Sequence, residues 1–564
     1  MARIFTIIFS LLFISGIYGN SPGTETQIKA CIQQNTEEVF VHLNKKVFIT
    51  GEELFYRIYF LRNSMETKAT SDIVYFELRD VSDKLVCKWR TPRLNKKLAG
   101  SYTLPDTLNT GLYYLYAYTN ILRNYPVNQQ FCESIIITPI NELNTGSIVL
   151  NNIKSKSGEA ATSSPISCDL KKDKFSRGEE IKLSFSGNTI NACNLSVSVN
   201  EKTPFDAYLN SPTGNSPLHI SDIISEENDY YIKESGSFSI KGFLINKETH
   251  EPLKNVLVFA SVLGNSANLN YAYTNEYGMF RIFLDNKFDN NIIYFQLYQT
   301  ELMPENVAWN FSDNLEIKEK SNITTTQLNT QQQEYLVRQR SAELVKRVYS
   351  IEHVNADSIV NGVQTSFYLT PDNIIYPKDY EELGTFKEIA SNILTGVRFN
   401  KTDEGYNISV VINKTQMVAD KGVMVFLNGI PISNYAFLNT LSSDDIERIE
   451  LCNREYMFGD LTFYGVVSIF TYEKAFDLAS FNKPFYLYDN IVAGRISNNS
   501  ANWNISVPNI SSQAYWNSDI TIVGSENRTI LFTTPKITGE FKIDIKGQDA
   551  NGQLFSIVKE FKVE

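Results

Sequence analysis

Histidine is scarce: His42, His219, His250 and His353 are the only four in 564 residues, and they lie far apart. None opens an HxxE or HExxH pattern, so a histidine-based zinc or general-base site has little to be built from. Basic charge is also short. Lys and Arg number 52 against 63 Asp and Glu, a formal net charge of −11, which argues against binding nucleic acid by phosphate neutralisation. The six cysteines (Cys31, Cys87, Cys132, Cys168, Cys193 and Cys452) include no CxxC pair, as a zinc ribbon or thioredoxin-type site would need. No GxSxG elbow, P-loop or dinucleotide fingerprint stands on a strand-to-helix turn. No stretch reaches the about 18 consecutive apolar residues of a spanning helix. Catalytic, cofactor and metal residues are therefore all assigned as none.

Aromatic residues are plentiful, with 35 Phe, 31 Tyr and 4 Trp, and such side chains favour strands. Hydrophobic residues at 43% and charged residues at 20% fit folded globular modules. At roughly 100–150 residues each, four or five domains are expected. Arg3 followed by the apolar run Ile4 to Ile14 and small residues reads as a cleaved secretory signal over 1–19. The run carries no lipid-accepting cysteine at its end.

Residues 38–140 alternate in strands, as in Val74, Phe76 and Leu78 against Tyr75, Glu77 and Arg79. The segment from Leu43 to Leu54 (LNKKVFITGEEL) returns from Leu170 to Ile181 (LKKDKFSRGEEI), an offset of 127 residues that suits tandem domains. Asn144 to Ser167, rich in Ser, Asn, Gly and Thr, reads as a linker. Residues 324–350 lack Gly and Pro and predict a connecting helix. Asn428-Gly429 predicts a hairpin, and 485–564 a terminal β-domain. The fold class is mainly β and multidomain, with tandem β-sandwiches, an α+β module and a C-terminal β-sandwich.

The repeated L-x-x-x-x-F-x-x-G-E-E-[LI] start, with Leu104-Pro105-Asp106 and Gly111 to Thr119, resembles macroglobulin-type sandwiches at 38–140 and 165–235. The Cys-Gly-Glu-Gln thioester of protease-trapping macroglobulins is missing. Residues 236–312, with Gly242 to Asn246 and Thr274 to Phe280, resemble the carboxypeptidase-regulatory-like sandwich. Residues 380–475, with Val423 to Ile432, Leu441 to Leu451, Phe458-Gly459-Asp460 and Gly465 to Thr471, resemble the plug domain of TonB-dependent outer-membrane receptors. The 93 residues after Thr471 cannot supply a receptor's 22-stranded barrel, which needs about 220. The whole order is similar to exported plug-domain proteins of the Bacteroidota. That resemblance implies a binding or assembly role in the periplasm or at the outer membrane, extending to the cell surface, with envelope-protein or glycan partners. The alternative is an accessory subunit docking on a barrel transporter.

Two residue sets follow. If cysteines pair, pairing within modules joins Cys87 to Cys132 and Cys168 to Cys193. An orphan plug must cover the surface a barrel would hide, which nominates Leu427, Ile430, Ile432, Phe458 and Phe470 as a docking surface. The tyrosines Tyr113, Tyr114, Tyr116 and Tyr118 either stack on a sugar or peptide or pack inside a sandwich. Mature protein is expected to begin near Asn20 and to fractionate with the envelope. N-terminal sequencing that returned Met1 would overturn this.

Overall fold

In the computed structural model, residues 22–35, 37–61, 71–92, 99–142, 146–151, 164–187, 193–206, 236–285, 293–298, 306–311, 323–349, 366–472 and 509–564 are described, apart from isolated positions within them. Shorter stretches between them are described too; the leader at 1–19 lies outside. The chain divides into two compact units. Unit 1 comprises Met1–Ser235, Leu315–Ser358 and Gly494–Glu564, and unit 2 comprises Gly236–Asn314 and Ile359–Ala493. Helix α1 (Pro22–Asn35) opens unit 1.

Strands β1 (Glu38–Leu43), β2 (Val47–Ile49), β3 (Glu53–Leu61), β4 (Ile73–Asp80), β5 (Leu85–Pro92), β6 (Ala99–Thr103), β7 (Gly111–Tyr118) and β8 (Phe131–Thr138) form the first sandwich. One sheet runs β1-β3-β6 and the other β2-β8-β7-β4-β5. Aromatic side chains fill its interior, with Trp89 stacked between Phe76 at 5.0 Å and Tyr102 at 4.1 Å. Part of the expected linker is instead a strand, β9 (Ser147–Asn151).

The second sandwich begins with β10 (Ile166–Leu170), β11 (Lys174–Phe175), β12 (Glu180–Gly187) and β13 (Cys193–Glu201). Its middle strand cannot stand alone. Leu195, Val197 and Val199 are buried on one face and Ser196 and Ser198 on the other, so β13 needs neighbours along both edges. The adjoining sequence provides none, because β12 belongs to the opposite sheet.

The chain enters unit 2 before supplying them. Strands β14 (Ser237–Asn246), β15 (Leu257–Val262), β16 (Asn270–Tyr273), β17 (Met279–Asp285), β18 (Ile293–Tyr298) and β19 (Val307–Phe311) build a small sandwich with sheets β17-β14-β19 and β16-β15-β18. Back in unit 1, β20 (Ile323–Gln327) pairs antiparallel with β9 and precedes helix α2 (Thr330–Val348). The expected helix at 324–350 thus starts later. Asn329 and Gln332 close a capping box at its entry, satisfying backbone N–H groups that a helix start leaves open.

The α+β module of unit 2 follows. It contains β21 (Asn373–Ile375), helix α3 (Phe386–Asn392), β22 (Val397–Thr402), β23 (Gly405–Val411), β24 (Met424–Leu427), β25 (Ile430–Ile432), β26 (Ile446–Phe458) and β27 (Leu461–Thr471). Its main sheet runs β21-β26-β27-β24-β25. Asn428 and Gly429 both have positive φ, +47° and +86°, the backbone of the expected tight hairpin turn.

The last segment departs from the sequence reading. Strand β28 (Phe485–Tyr488) pairs with β18 inside unit 2. Strands β29 (Gln513–Ile522), β30 (Asn527–Thr533), β31 (Gly539–Gln548) and β32 (Leu554–Val563) complete the second sandwich instead of forming one of their own. Strand β13 lies between β29 and β31, β12 pairs with β30, and β11 runs parallel to β32. Residues 165–235 and 485–564 are therefore not two independent domains. One core joins Ile181, Phe185, Val197 and Val199 to Ile520, Ile543, Ile545 and Phe561.

Among the described residues no helix is long and apolar enough to cross a membrane. Truncation after residue 508 is expected to strip β13 of both neighbours and β12 of one, leaving β12 only β10, and to abolish cooperative unfolding of unit 1. Ile543→Ala, which empties a fully buried site, should cost about 2–5 kcal/mol. Urea denaturation checks both, and an unchanged midpoint for Ile543→Ala would contradict the shared core.

Candidate functional site

The sequence repeat has a physical basis in a self-closing turn. Lys45 donates to both Glu52 carboxylate oxygens at 2.8 and 2.6 Å, and the Ile49 N–H donates to Glu52 Oε2 at 2.7 Å. The Lys45 ammonium also lies 5.2 Å from the Phe48 ring centre. In the second copy Lys172 meets Glu179 at 2.5 Å, the Ser176 N–H donates to Glu179 at 2.8 Å, and Lys172 lies 4.8 Å from Phe175. Gly51 and Gly178 turn the chain at φ +78° and +75°. The two copies differ in setting. Lys45 and Glu52 are buried, whereas Lys172 is half exposed.

Helix α2 makes that burial tolerable. Its Lys346 lies 3.6 Å from Glu52 and 3.5 Å from Glu343, which in turn holds Arg347 at 3.2 Å. Arg347 donates to the Thr50 carbonyl at 2.6 Å, and its guanidinium occupies the space a side chain at Gly51 would need. Arg340 donates to the Pro139 carbonyl and to Thr138 Oγ1. Toward the second sandwich, Arg338 pairs with Glu201 at 2.7 Å and Gln339 accepts from Ser512 at 2.7 Å. One helix thus fastens two sandwiches. Burial pushes the Glu52 carboxyl upward, but the Lys45 and Lys346 ammonium groups outweigh it and hold it at about 2.

The sandwiches also meet through His42. Its Nδ1 lies 2.6 Å from Ser196 Oγ and its Nε2 3.2 Å from Ser198 Oγ, with Trp516 edge-on at 5.2 Å. Tyr59 adds a hydroxyl contact to Ser196 at 2.8 Å and donates to the Lys546 carbonyl at 2.9 Å. Burial lowers the imidazole to about 3, with nearby Asp544 pulling the other way and the Lys546, Lys46 and Lys542 ammonium groups adding to the fall. A neutral ring with both nitrogens committed to serines is a bridge between sheets. Its serines lie on strand β13, which pairs with β29 and β31.

Beside this junction lies a cavity of about 590 Å³. Strand β1 contributes Phe40 to Leu43, and Lys45, Lys46, Val47 and Glu133 continue that wall. The facing wall is the second sandwich, through Ser198, Asn200, Lys542, Asp544, Lys546, Val558 and Glu560. Asp206, Leu209 and Tyr335 close it. Five lysines and five carboxylates line it, and several are already paired, as Lys46 with Glu133 at 2.6 Å and Lys546 with Asp544 at 3.3 Å. Burial pulls Lys46 down, but Glu133 more than offsets it and holds the ammonium above its usual range. The lining suits a polar occupant of mixed charge.

The residues nominated from sequence lie elsewhere. All six cysteines are free thiols. Cys87 on β5 and Cys132 on β8 have β4 and β7 between them, about 14 Å at the usual strand spacing, beyond a disulfide's reach of about 7 Å. Cys168 and Cys193 sit on opposing sheets of one sandwich, about 10 Å apart. Burial pushes Cys87 and Cys132 up to about 12, so neither is a ready thiolate.

The nominated docking surface is also covered. Leu427, Ile430, Ile432 and Phe470 are buried, and half-buried Phe458 packs against Tyr271 at 5.5 Å and Phe367 at 5.2 Å. The 428–429 turn rests against the backbone at Val262 and Ser266. Unit 2 uses its own sandwich as the cover. Tyr113, Tyr114 and Tyr118 are buried as well, and half-buried Tyr116 packs against a core cluster with Tyr114 and Leu112.

No protein-family model matches the chain, and no curated protein does. Among solved structures, two of Escherichia coli α2-macroglobulin, one trypsin-activated and one native, align over 94% of this chain at 6% and 7% identity with TM-scores of 0.24. A Salmonella α2-macroglobulin aligns over 93% at 9% identity with a TM-score of 0.15. The chain spans 42%, 40% and 23% of those proteins' lengths. Similarity at that level carries no functional statement.

Glu52→Gln leaves two ammonium groups against a neutral buried amide and is expected to cost about 3–5 kcal/mol. Glu179→Gln, the same change in the surface copy, should leave the urea midpoint close to that of the unaltered chain. Acid should act twice. His42 contributes stability that is full above its unfolded value of 6.5 and is lost as pH falls toward about 3. The Glu52 contribution is full above 4.5 and is lost as pH falls toward about 2. Urea midpoints from pH 7 to 3 check this, and a His42→Asn chain should lose the upper stage. Equal sensitivity of Glu52→Gln and Glu179→Gln would contradict the burial argument.

Proposed function

We propose that the chain is a non-enzymatic, multidomain binding and assembly protein of the bacterial outer membrane or periplasm, engaging protein or glycan partners. The observation that supports it best is the cavity between the sandwiches. Several of its charged groups are paired with one another and its histidine is a committed neutral bridge, an arrangement suited to holding an occupant in place. Rigidity supports the same reading, because α2 and the terminal strands tie unit 1 together from three separate parts of the chain. The resemblance of 380–475 to a receptor plug adds the envelope setting. Its nominated apolar residues are spent on internal packing, so partner contact is assigned to unit 1.

Cross-linking of the full chain in intact cells, followed by recovery from the envelope fraction, tests the proposal. The expected result is a defined envelope partner whose cross-links map to residues of unit 1. Recovery of the chain alone from the cytosol, or turnover of a peptide or glycan by the purified chain, would overturn it.

A further inference from the structure

The charges around the cavity are not matched evenly. Lys46 meets Glu133 at 2.6 Å, and Lys546 and Lys542 share Asp544 at 3.3 and 3.9 Å. The corner where β13 runs out, from Asn200 to Asp206, is different. There Lys202 is divided between Glu540 at 3.2 Å and Glu560 at 2.7 Å. Glu201 meets Arg338 at 2.7 Å through Oε1. Exposed Asp206 has no ion pair of its own among the described residues. At this corner four carboxylates face two cations.

Two acceptor atoms of the same corner are open. Glu201 Oε2 and Asn200 Oδ1 are shut away from solvent, and neither has a hydrogen-bond partner among the described residues. Asn200 is held in place from its other end, where Nδ2 donates to the Asn44 carbonyl at 2.7 Å. Buried acceptors left unmet are costly, and charged ones more so. Burial holds the Glu201 carboxyl above its usual range, and Arg338 offsets only part of the rise. Asp206 is raised in the same way, even with Lys46, Lys542 and Lys202 pulling against it. A water molecule would answer the hydrogen bonds but not the charge. The group that fits donates several N–H bonds and is positive, which a primary ammonium does.

The surroundings describe the rest of the occupant. Ser198, Thr203, Ser512 and Tyr335 bring hydroxyls to the lining, and Leu209 and Val558 bring aliphatic surface. That mixture suits a compact body with hydroxyls at its rim and C–H groups on its faces, as in a pyranose. The volume of about 590 Å³ lies within the range of small-molecule sites. Resting on the binding role proposed above, we infer that the cavity is a site for an amino sugar with a free amine. Its ammonium group donates to Asn200 Oδ1, Glu201 Oε2 and the Asp206 carboxylate.

The probe is glucosamine in its ammonium form, titrated calorimetrically into the full chain. Saturable binding at a single site is expected. Glucose and N-acetylglucosamine, which keep the ring without the charge, should each bind at least about tenfold more weakly. Nα-acetyl-lysine amide carries the ammonium on a flexible stem and should also bind more weakly than glucosamine. Asp206→Asn should weaken glucosamine about tenfold while leaving the urea midpoint unchanged, because no ion pair depends on that side chain. Glu201→Gln keeps an acceptor for Arg338 and should weaken glucosamine as well. No saturable binding, equal affinity for glucose, or tighter binding of the lysine derivative would overturn the inference. Unchanged binding by both variants would overturn it too. Failure of glucosamine with an envelope partner still cross-linked through unit 1 would leave the broader binding role standing. A chain with no envelope partner would remove that role without altering the titration.

Discussion

A carboxylate buried as deeply as Glu52 must be paired, because desolvating it alone costs several kcal/mol. Much of unit 1 is arranged around that requirement. Lys45 meets it from the same turn, Ile49 lends a backbone N–H, and Lys346 reaches in from more than 290 residues away in sequence. Once α2 is committed to Glu52, its other face can grip the second sandwich through Arg338 and Gln339. The cavity and the His42 bridge both lie along the junction this helix holds. Among the described residues no helix reaches the same turn in the second sandwich, and Lys172 and Glu179 remain at the surface.

What could be read from the sequence was local. The Asn428-Gly429 hairpin needs only two residues able to take positive φ, and it appears in the structure. The mainly β, multidomain character followed from alternation and aromatic content. The repeat at Leu43 and Leu170 flagged the turn that carries Glu52 and Glu179, although nothing local told the buried copy from the exposed one. What escaped was distant. Ser196 and Ser198 stand more than 150 residues from His42, and no spacing rule ties a lone histidine to two serines. The terminal strands read as a domain of their own because their pattern is that of any half-buried strand. Only pairing with β13 shows where they belong. The cysteine assignment failed for a related reason: shared membership of a module says nothing about how many strands lie between two thiols.

The α+β module illustrates the same limit from the other side. Its apolar residues, judged by what a barrel would have covered, looked available. The structure places β24 and the hairpin turn against the unit's own sandwich, where Phe426 joins Leu257, Phe259 and Leu269 in one core. Exposure depends on neighbours, and those neighbours lie more than 150 positions earlier in the chain.

The discontinuous second sandwich also sets an order of events. Chains are made from the N-terminus, and domains generally fold as units once their residues are available. The first sandwich and unit 2 draw their described core strands from residues that precede Gln513, so each can close while synthesis continues. Strands β12 and β13 cannot complete their sheets, because the partners they lack are made more than 300 residues later. Until then they form half a sheet with open edges, the state most prone to pair with the wrong chain. Such distant pairing also slows the final closure, since a long loop must be brought together first. A chain cut short anywhere between Glu201 and Gln513 is therefore a molecule with its central seam unsewn, a ready substrate for quality-control proteolysis.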